Sequence, residues 1–379
     1  LKMQIRRFGK TDRRLSVFSL GTMRFASAQV AQTVIAAAIA QGINHLETAP
    51  AYGSSELYIG QALKALTATG RVQRDCLTLT SKLTPTLKQA QILPAIKSSL
   101  SRLGVDFLDC LAVHGINTAQ HLDWVQAEML VALKQAQAQG LIRHIGFSTH
   151  GPLDVIRGVI ATQSFSFINL HYNFFFQRNA PAVAEAHQQD MGIFIISPAD
   201  KAGMLYSPPE KLKSLCAPYD PLLLNYRWLL SDSRVTTLSI GPADVSELDW
   251  PLQVADDGGP LSEAEQQAIL HLEQMQIEAL GRDRCAQCHQ CLPCPEAINI
   301  PEVLRLRNLD VAYDMRAFGQ YRYGMFENAG HWFPGRRGDC CTDCGDCLPR
   351  CPEQLNIPSL LRDTHQRLRG KQRRRLWED

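Results

Sequence analysis

Residues 77–114 read LTLTSKLTPTLKQAQILPAIKSSLSRLGVDFLDCLAVH and contain one complete strand–helix–strand unit. Two short apolar runs, Leu77–Ser81 and Phe107–Val113, predict strands on either side of the amphipathic stretch Leu87–Leu103. Gly104 follows this stretch directly, as is typical of a helix C-terminal cap. Strands that alternate with helices imply a parallel sheet, so this unit favours an α/β fold.

The same alternation runs through the first 250 or so residues, a length typical of a (β/α)8 barrel. Eight runs predict strands: Ser16–Leu20, Ile43–Thr48, Leu77–Ser81, Phe107–Val113, His144–Ser148, Phe167–Leu170, Gly192–Ile196 and Thr236–Ile240. The stretches between them predict helices: Ala28–Gln41, Ser55–Leu66, Leu87–Leu103, Asp123–Gln139, Pro152–Ala161, Ala180–Gln189 and Pro221–Leu230. An open doubly wound sheet is the alternative, but it needs a G-x-G-x-x-G turn that Gly21–Arg24 (GTMR) does not provide.

Loop and helix signals indicate how the 379 residues divide into domains. The loop Leu252–Pro260 (LQVADDGGP) predicts a linker, and Ser262–Leu280 predicts a helix after it. We therefore expect a barrel over residues 1–260, a connecting helix over 261–280 and a second, small α-helical domain over 281–379.

Charge and hydropathy limit the partners and the cellular compartment that are expected for this chain. A net charge of +2 gives no reason to expect nucleic acid, and the basic run Arg367–Arg375 is interpreted as a solvated helix end. No apolar run approaches the ~20 residues that cross a bilayer. Leu1–Phe18 contains no charged-then-apolar leader, which predicts a cytoplasmic protein with reduced thiols.

Eight of the 12 cysteines lie in two runs near the C-terminus. Cys341, Cys344, Cys347 and Cys351 have the x2, x2, x3 spacing of a bacterial iron–sulfur ligand run, with a proline after the last cysteine. The upstream run is Cys285, Cys288, Cys291 and Cys294, again followed by proline. Each run supplies the four thiolates that a [4Fe–4S] cluster needs, so two clusters are predicted.

The two cysteine runs belong to an internal repeat. CPEAINIPEVLR (294–305) and CPEQLNIPSLLR (351–362) match at eight positions, and an Ile-Pro pair opens a predicted helix in each. In two-cluster modules the last cysteine of one run ligates the other cluster. We therefore expect Cys351 to join the first run and Cys294 the second, although the first run is one residue short; Cys340 is surplus.

Zinc and disulfides are the alternatives for these thiols. Zinc sites usually consist of two separated cysteine pairs, whereas each run here places four thiols within one loop. Disulfides are not expected in a reducing compartment. Cys76, Cys110 and Cys216 lie in apolar stretches and are predicted to be small buried side chains.

Polar residues end several of the predicted barrel strands, where the chemistry of such barrels takes place. Glu47, Lys82 and His114 end the second, third and fourth strands, and Tyr52 follows Glu47 in ETAPAYGSSE (47–56). Lys82 is a charge that needs a partner, which Glu47 can supply. A nearby ammonium stabilises phenolate and lowers a tyrosine pKa from ~10. Tyr52 is thus a candidate proton donor to a carbonyl oxygen, which His114 could orient.

Each of these residues also has a purely structural interpretation. Lys82 could form an ordinary rim ion pair, Tyr52 could serve the turn before a glycine, and a lone His114 is more often a core residue. Their joint position at predicted strand ends favours a site.

These residues resemble the aldo/keto reductase family over roughly residues 3–252. The matching motifs are ETAPAYGSSE, TSK (80–82), AVH (112–114) and GFSTH (146–150). The resemblance implies a (β/α)8 barrel that reduces a carbonyl with NADP(H) or NAD(H). Tyr52 would be the general acid, Lys82 and Glu47 would tune it, and His114 would orient the substrate. The resemblance also implies cofactor contacts from Gly21, Thr22, Met23, Ser148, Thr149, Asn169, Ser197 and Gly203. With the cysteine repeat, the chain looks like the ferredoxin-fused branch of the family.

Three departures from the family pattern stand out. Glu47 replaces the family's aspartate, and Asn169 replaces the glutamine that usually holds the nicotinamide amide. The loop Gly241–Leu248 has no lysine or arginine, and its Asp244 would repel a 2′-phosphate.

The sequence therefore predicts an NAD(P)H-dependent carbonyl oxidoreductase with two clusters for electron transfer or redox sensing. Its expected partners are a small carbonyl substrate and a protein electron donor or acceptor. The alternative is a ferredoxin-like electron-transfer protein whose barrel holds another redox cofactor, such as flavin, or is a scaffold.

Overall fold

The structure, a computed structural model, describes residues 3–373, so Arg374 and Arg375 of the predicted basic run lie outside it. The described chain forms two compact units. The first comprises the residues up to 198 together with 225–260, and the second comprises 199–224 together with the residues from 261 onward.

Eight parallel strands of the first unit close into a barrel in which the last strand pairs with the first. Their bounds are β3 Phe18–Gly21, β4 His45–Glu47, β5 Thr78–Leu83, β6 Leu108–His114, β7 Ile142–Ser148, β8 Phe167–Leu170, β9 Gly192–Ile195 and β10 Thr237–Ile240. Each strand pairs with the one before it in sequence, and β10 pairs with β3. The prediction of a (β/α)8 barrel is confirmed.

Helices lie at each of the seven positions that the sequence pattern indicates, and two further short helices, at Glu210–Cys216 and Asp249–Leu252, were not predicted. Their bounds are α1 Ala28–Ala40, α2 Ser55–Ala68, α3 Gln89–Leu103, α4 Ala119–Trp124, α5 Leu130–Ala138, α6 Leu153–Ala161, α7 Ala180–Gln188, α8 Glu210–Cys216, α9 Pro221–Ser231 and α10 Asp249–Leu252. Gly104 takes a left-handed conformation after α3, as a C-terminal cap does.

One predicted helix differs from the structure. The stretch predicted as a single helix, Asp123–Gln139, consists of α4 and α5 joined by a π-helical turn at Val125–Met129. In the structure the helix begins earlier, at Ala119, because the Thr118 side chain caps it by accepting a hydrogen bond from His121 N.

A hairpin that the strand pattern did not predict closes one end of the barrel. Strands β1 Ile5–Arg7 and β2 Arg14–Ser16 pair antiparallel. Phe8, which follows β1, is fully buried against Phe167 and Phe194. It packs so close to Gly192 that a Cβ there would lie 2.3 Å from its ring. Phe167 and Gly192 are the first residues of β8 and β9, so Phe8 covers the amino ends of these strands. A site is therefore expected at the carboxyl ends.

The second unit is helical. It contains α8 and four further helices, α11 Glu263–Leu280, α12 Ile300–Tyr313, α13 Arg316–Tyr323 and α14 Ile357–Leu368. Helix α11 begins at a capping box in which Ser262 Oγ accepts from Glu265 N and the Glu265 carboxylate accepts from Ser262 N. Helices α12 and α14 pack against each other.

Helices α12 and α14 each begin within one copy of the sequence repeat, and the two copies share their backbone conformation. Asn299 and Asn356 cap these helices with nearly the same φ and ψ, −79° and 71° against −75° and 72°. Left-handed residues also recur in pairs at equivalent positions: Gln287 (φ 58°) with Asp343 (56°), His289 (62°) with Gly345 (81°), and Ala297 (55°) with Gln354 (52°). The repeat therefore extends from the cysteine loops into the helices.

Among residues 3–373, no helix is both long and apolar enough to cross a membrane.

Candidate active site

Lys82 on β5 is the buried cation around which the barrel site is assembled. It is 2% exposed and forms an ion pair with the Glu47 carboxylate at the end of β4. Its ammonium donates to the backbone carbonyl of Thr48 at 3.0 Å and to the Tyr52 hydroxyl at 2.9 Å. The structure thus brings together the three residues that the sequence singled out for proton chemistry.

Tyr52 reaches this ammonium from the turn that follows β4. Its amide donates to Ala49 O at 3.0 Å, and Gly53 takes a left-handed φ of 58° that closes the turn. The rings of Tyr52 and His114 pack edge to face, with their centroids 5.7 Å apart and an interplanar angle of 86°. The fourth predicted residue therefore lies beside the phenol.

Burial dominates the electrostatics of the site. Removal from water lowers the pKa of the Lys82 ammonium well below its usual value. The adjacent Glu47 carboxylate acts in the opposite direction, because an opposite charge within a few ångströms favours the charged form. Lys82 is thus a cation with little hydration, and its charge is felt strongly by the phenol oxygen.

The longer acid at position 47 is accommodated next to a glycine. A Cβ on Gly21 would lie 2.9 Å from Ser239 Oγ and 3.8 Å from Glu47 Oε2. The contact that disfavours a side chain at position 21 is therefore with Ser239, and the extra methylene of Glu47 does not prevent its ion pair with Lys82.

Three of the residues implied as cofactor contacts hold the loops at the top of the barrel. Thr22 Oγ1 donates to Glu47 O at 3.0 Å. Thr149 Oγ1 donates to Ile116 O at 2.8 Å, and Ser148 Oγ accepts from Gly115 N at 3.0 Å. Met23 and Ser197 are half-buried, and Ser197 has a left-handed φ of 51°. These contacts give the residues a structural role irrespective of any ligand.

Asn169 at the carboxyl half of β8 is different. It is fully buried, yet neither its amide nitrogen nor its amide oxygen has a hydrogen-bond partner. A buried unsatisfied amide costs about 1–3 kcal/mol and calls for an explanation. Its donor and acceptor match the acceptor and donor of a carboxamide, the polar group of nicotinamide.

Gly203, the last implied cofactor contact, belongs to the second unit. It has a positive φ of 130°, and a Cβ there would lie 2.3 Å from Met315 Cε. Close packing within the second unit is therefore sufficient reason for glycine at this position.

Two buried polar residues of the barrel were not singled out from the sequence. Glu56, the last residue of ETAPAYGSSE, accepts from Ser81 Oγ at 2.6 Å and from Arg102 Nε at 2.7 Å. His45 lies two residues before Glu47, and its ring bonds Ser19 at 2.6 Å and Thr80 at 2.7 Å. Alternation along β4 places His45 and Glu47 on one face, which is the signal that could have found it.

The eight clustered cysteines line two cavities in the second unit. The cysteines that line the first cavity are Cys285, Cys288, Cys291 and Cys351. Those that line the second are Cys294, Cys341, Cys344 and Cys347. Each cavity thus receives three cysteines from one run and the last cysteine of the other. The remaining walls are largely apolar, with Leu304, Leu355 and Ile357 at the first and Ile298, Ile300 and Leu361 at the second.

Burial raises the pKa of several of these thiols, to about 12 for Cys291 and upward for Cys285 and Cys347. Cys340 is not among the lining residues of either cavity. Within residues 3–373, no group of three or more His, Cys, Asp or Glu side chains converges to hold one metal ion.

The other cysteines correct one prediction. Cys110 and Cys216 are buried as expected, but Cys76 is exposed. It ends a short 3-10 turn, Arg74–Cys76, just before β5, so the apolar run that includes it is not yet inside the barrel.

The sequence model of the aldo/keto reductase family matches residues 18–272. The chain therefore belongs to the aldo/keto reductase family. Solved structures of this family have the same fold. One is an aldo-keto reductase of Bacillus halodurans in its holo form, with a TM-score of 0.62 and 23% identity over 71% of this chain and 96% of that one.

Curated relatives match shorter parts of this chain at higher identity. An aldo-keto reductase of Bombyx mori is 29% identical over 45% of this chain and 54% of its own length. An NADH-specific methylglyoxal reductase of Escherichia coli is 30% identical over 39% of this chain and 56% of its own length. The chain thus spans about half the length of these curated relatives.

Proposed function

We propose that the barrel is an NAD(P)H-dependent carbonyl reductase. The observation that carries the proposal is the hydrogen bond from the buried Lys82 ammonium to the Tyr52 hydroxyl, 2.9 Å, with Glu47 paired to the same ammonium. A phenol with a cation on one side and an imidazole on the other is suited to donate a proton to a carbonyl oxygen.

The roles of the residues follow from their contacts. Tyr52 donates its proton to the carbonyl oxygen as that oxygen gains charge. Lys82 stabilises the phenolate that remains, and the Thr48 carbonyl and Glu47 hold the ammonium in place. His114, beside the Tyr52 ring, donates a hydrogen bond that orients the same oxygen. The charges are already in place before reaction, which is what electrostatic catalysis requires.

The residues at the barrel mouth fit a nicotinamide. The unpartnered amide of Asn169 would hold the carboxamide, and Ser148 on the neighbouring strand has a hydroxyl proton for the same group. The bound cofactor would supply the hydride that reduces the carbonyl carbon.

The loop after β10 favours a cofactor without a 2′-phosphate. Asp244 caps a short turn there by accepting from Ser246 N at 2.8 Å. The neighbouring cation, Arg24, forms an ion pair with Glu247. A phosphate at this loop would meet two carboxylates and a guanidinium that already has a partner, so we infer a preference for NADH.

For the second unit we propose a ferredoxin-like domain that holds two [4Fe–4S] clusters. Four cysteines at each cavity, three local and one from the other run, support it, as do the apolar walls. In a cubane each thiolate binds a different iron, so the four donors stand apart around a cavity. Zinc would require them to converge at about 2.3 Å on one point.

Two roles for such clusters are open to experiment, electron exchange with a protein partner and redox sensing. The alternative that the barrel is a scaffold for an electron carrier has less support. A scaffold has no need for a buried ion pair aimed at a tyrosine hydroxyl.

The test of the reductase is Tyr52→Phe, with Tyr58→Phe on α2 as the matched control. Tyr52→Phe should lower kcat for aldehyde-dependent NAD(P)H oxidation by about 10²–10⁴-fold, the usual contribution of general acid catalysis. Cofactor binding and the absorption of the second unit should be unchanged in both variants. Persistent turnover in Tyr52→Phe would show that Tyr52 is not the acid.

A further inference from the structure

The two cysteine loops are alike in backbone but differ in one side chain that reaches a cysteine sulfur. Gln287, between Cys285 and Cys288, donates from Nε2 to Cys285 Sγ at 3.3 Å. The same amide nitrogen donates to Pro301 O at 3.0 Å, which fixes its direction. Gln287 has a left-handed φ of 58° and is partly buried. The amide therefore forms a fixed dipole that is bonded to two residues lining the first cavity, Cys285 and Pro301.

The equivalent position in the second loop is Asp343, with a φ of 56°. A carboxylate has no proton to donate, and this one accepts from Arg362 Nη1 at 2.6 Å on the exposed side. The two loops thus have the same backbone conformation at this position but different side chains. Gln287 donates a hydrogen bond to a cysteine of the first cavity, whereas Asp343 accepts one from Arg362.

We propose that Gln287 is a tuning residue that raises the reduction potential of the cluster in the first cavity. The proposal rests on the two clusters proposed above. One-electron reduction adds negative charge that spreads onto the cysteine sulfurs. An N–H directed at one of them stabilises the reduced form more than the oxidised form.

Other polar residues line the cavities on both sides. Glu353 and His289 line the first cavity, and Glu296 and Thr342 line the second, where Glu296 also pairs with Arg336. Arg350, the extra residue of the second run, also lines the second cavity. Its Nη2 donates to Pro293 O at 3.0 Å and its Nε to Asp346 O at 2.8 Å. The contribution of Gln287 is isolated by replacing that residue alone.

The experiment is an anaerobic redox titration of the full chain with dithionite, followed by electron paramagnetic resonance, on wild type, Gln287→Leu and Gln287→Glu. The matched control is Gln290→Leu, the same change on an exposed glutamine of the same loop. Gln287→Leu should lower the reduced-to-oxidised ratio of one cluster by about tenfold at a fixed potential. That change corresponds to about 59 mV for a one-electron couple.

The second cluster and the control should be unchanged. Gln287→Glu, which keeps the shape but replaces the donor by an acceptor, should lower the same ratio further. It also serves as the test if the leucine variant fails to assemble its cluster. Equal potentials in wild type and both Gln287 variants, with full iron content, would overturn the tuning role. Wild type without iron would instead overturn the cluster proposal on which it rests.

Discussion

The barrel site and the cysteine repeat are built in opposite ways. In the barrel, Lys82 and Tyr52 are thirty residues apart in sequence and meet because strands and loops bring them together. In the repeat, three of the four cysteines at each cavity are separated by only two residues. The barrel charges neutralise one another within the protein, whereas the repeat presents thiols around a cavity.

This difference predicts how each region depends on a ligand. The barrel site has its ion pair and hydrogen bonds before any substrate is present, with Asn169 as the exception. The thiols of Cys285, Cys291 and Cys347 have pKa values raised by burial, so they bind metal as thiolates only by releasing protons. The free energy of metal binding should therefore be part of the folding free energy of the second unit.

The largest expected effect tests which cysteines act together. Cys351→Ser should remove the cluster of the first cavity and should therefore resemble Cys288→Ser, although Cys351 is 63 residues away in sequence from Cys288. Cys294→Ser should resemble Cys344→Ser in the same way. We expect iron to fall from about eight to about four per chain, measured together with absorption after anaerobic purification.

Cys340→Ser is the control for that series, because Cys340 lines neither cavity and should leave the iron content unchanged. If Cys351→Ser instead reproduced the spectrum of Cys344→Ser, each run would hold its own cluster. The proposal that each cluster takes its fourth cysteine from the other run would then be wrong.

A smaller effect is expected from His45 in the barrel interior. Burial, with smaller contributions from Lys82 and Arg13, lowers its pKa to about 3. Between about pH 6.5 and about pH 3 the unfolded chain binds a proton that the folded chain does not, so the free energy of unfolding decreases as the pH falls through that range. The linkage relation gives a loss of about 2 kcal/mol from this residue between about pH 7 and about pH 5.

His45→Gln retains hydrogen-bonding capacity toward Ser19 and Thr80 but cannot titrate. Urea unfolding of the two proteins at both pH values should show a smaller pH dependence in the variant. His187→Gln, at an exposed position on α7, should retain the full dependence of wild type. Equal slopes in wild type and His45→Gln would mean that His45 is protonated in the folded barrel.

The success of the sequence predictions depended on how local each signal is. The strand–helix alternation is a local pattern, and the barrel that it predicts is confirmed. The cysteine spacing is also local, but the two clusters inferred from it stay a prediction. The β1–β2 hairpin was missed because Ile5–Arg7 and Arg14–Ser16 are too short and polar to give an apolar run. Asn169 was assigned from a family position. That its amide lacks a partner depends on which groups β7 and β9 place around it, and no sequence pattern contains that information.

A substitution at Asn169 should separate binding from stability. Asn169→Leu removes a buried amide that has no partner in the described structure, so the cofactor-free protein should become more stable by about 1–3 kcal/mol. The same change should weaken NADH binding by about tenfold, about 1.4 kcal/mol, if the amide holds the carboxamide. Asn44→Leu is the contrasting control, because Asn44 accepts from Ser16 N and donates to Arg14 O, both at 2.8 Å, and should lose stability without affecting NADH. Urea unfolding and NADH titration of the three proteins would decide the matter. A destabilised Asn169→Leu with unchanged NADH affinity would mean that the amide serves the barrel and not the cofactor.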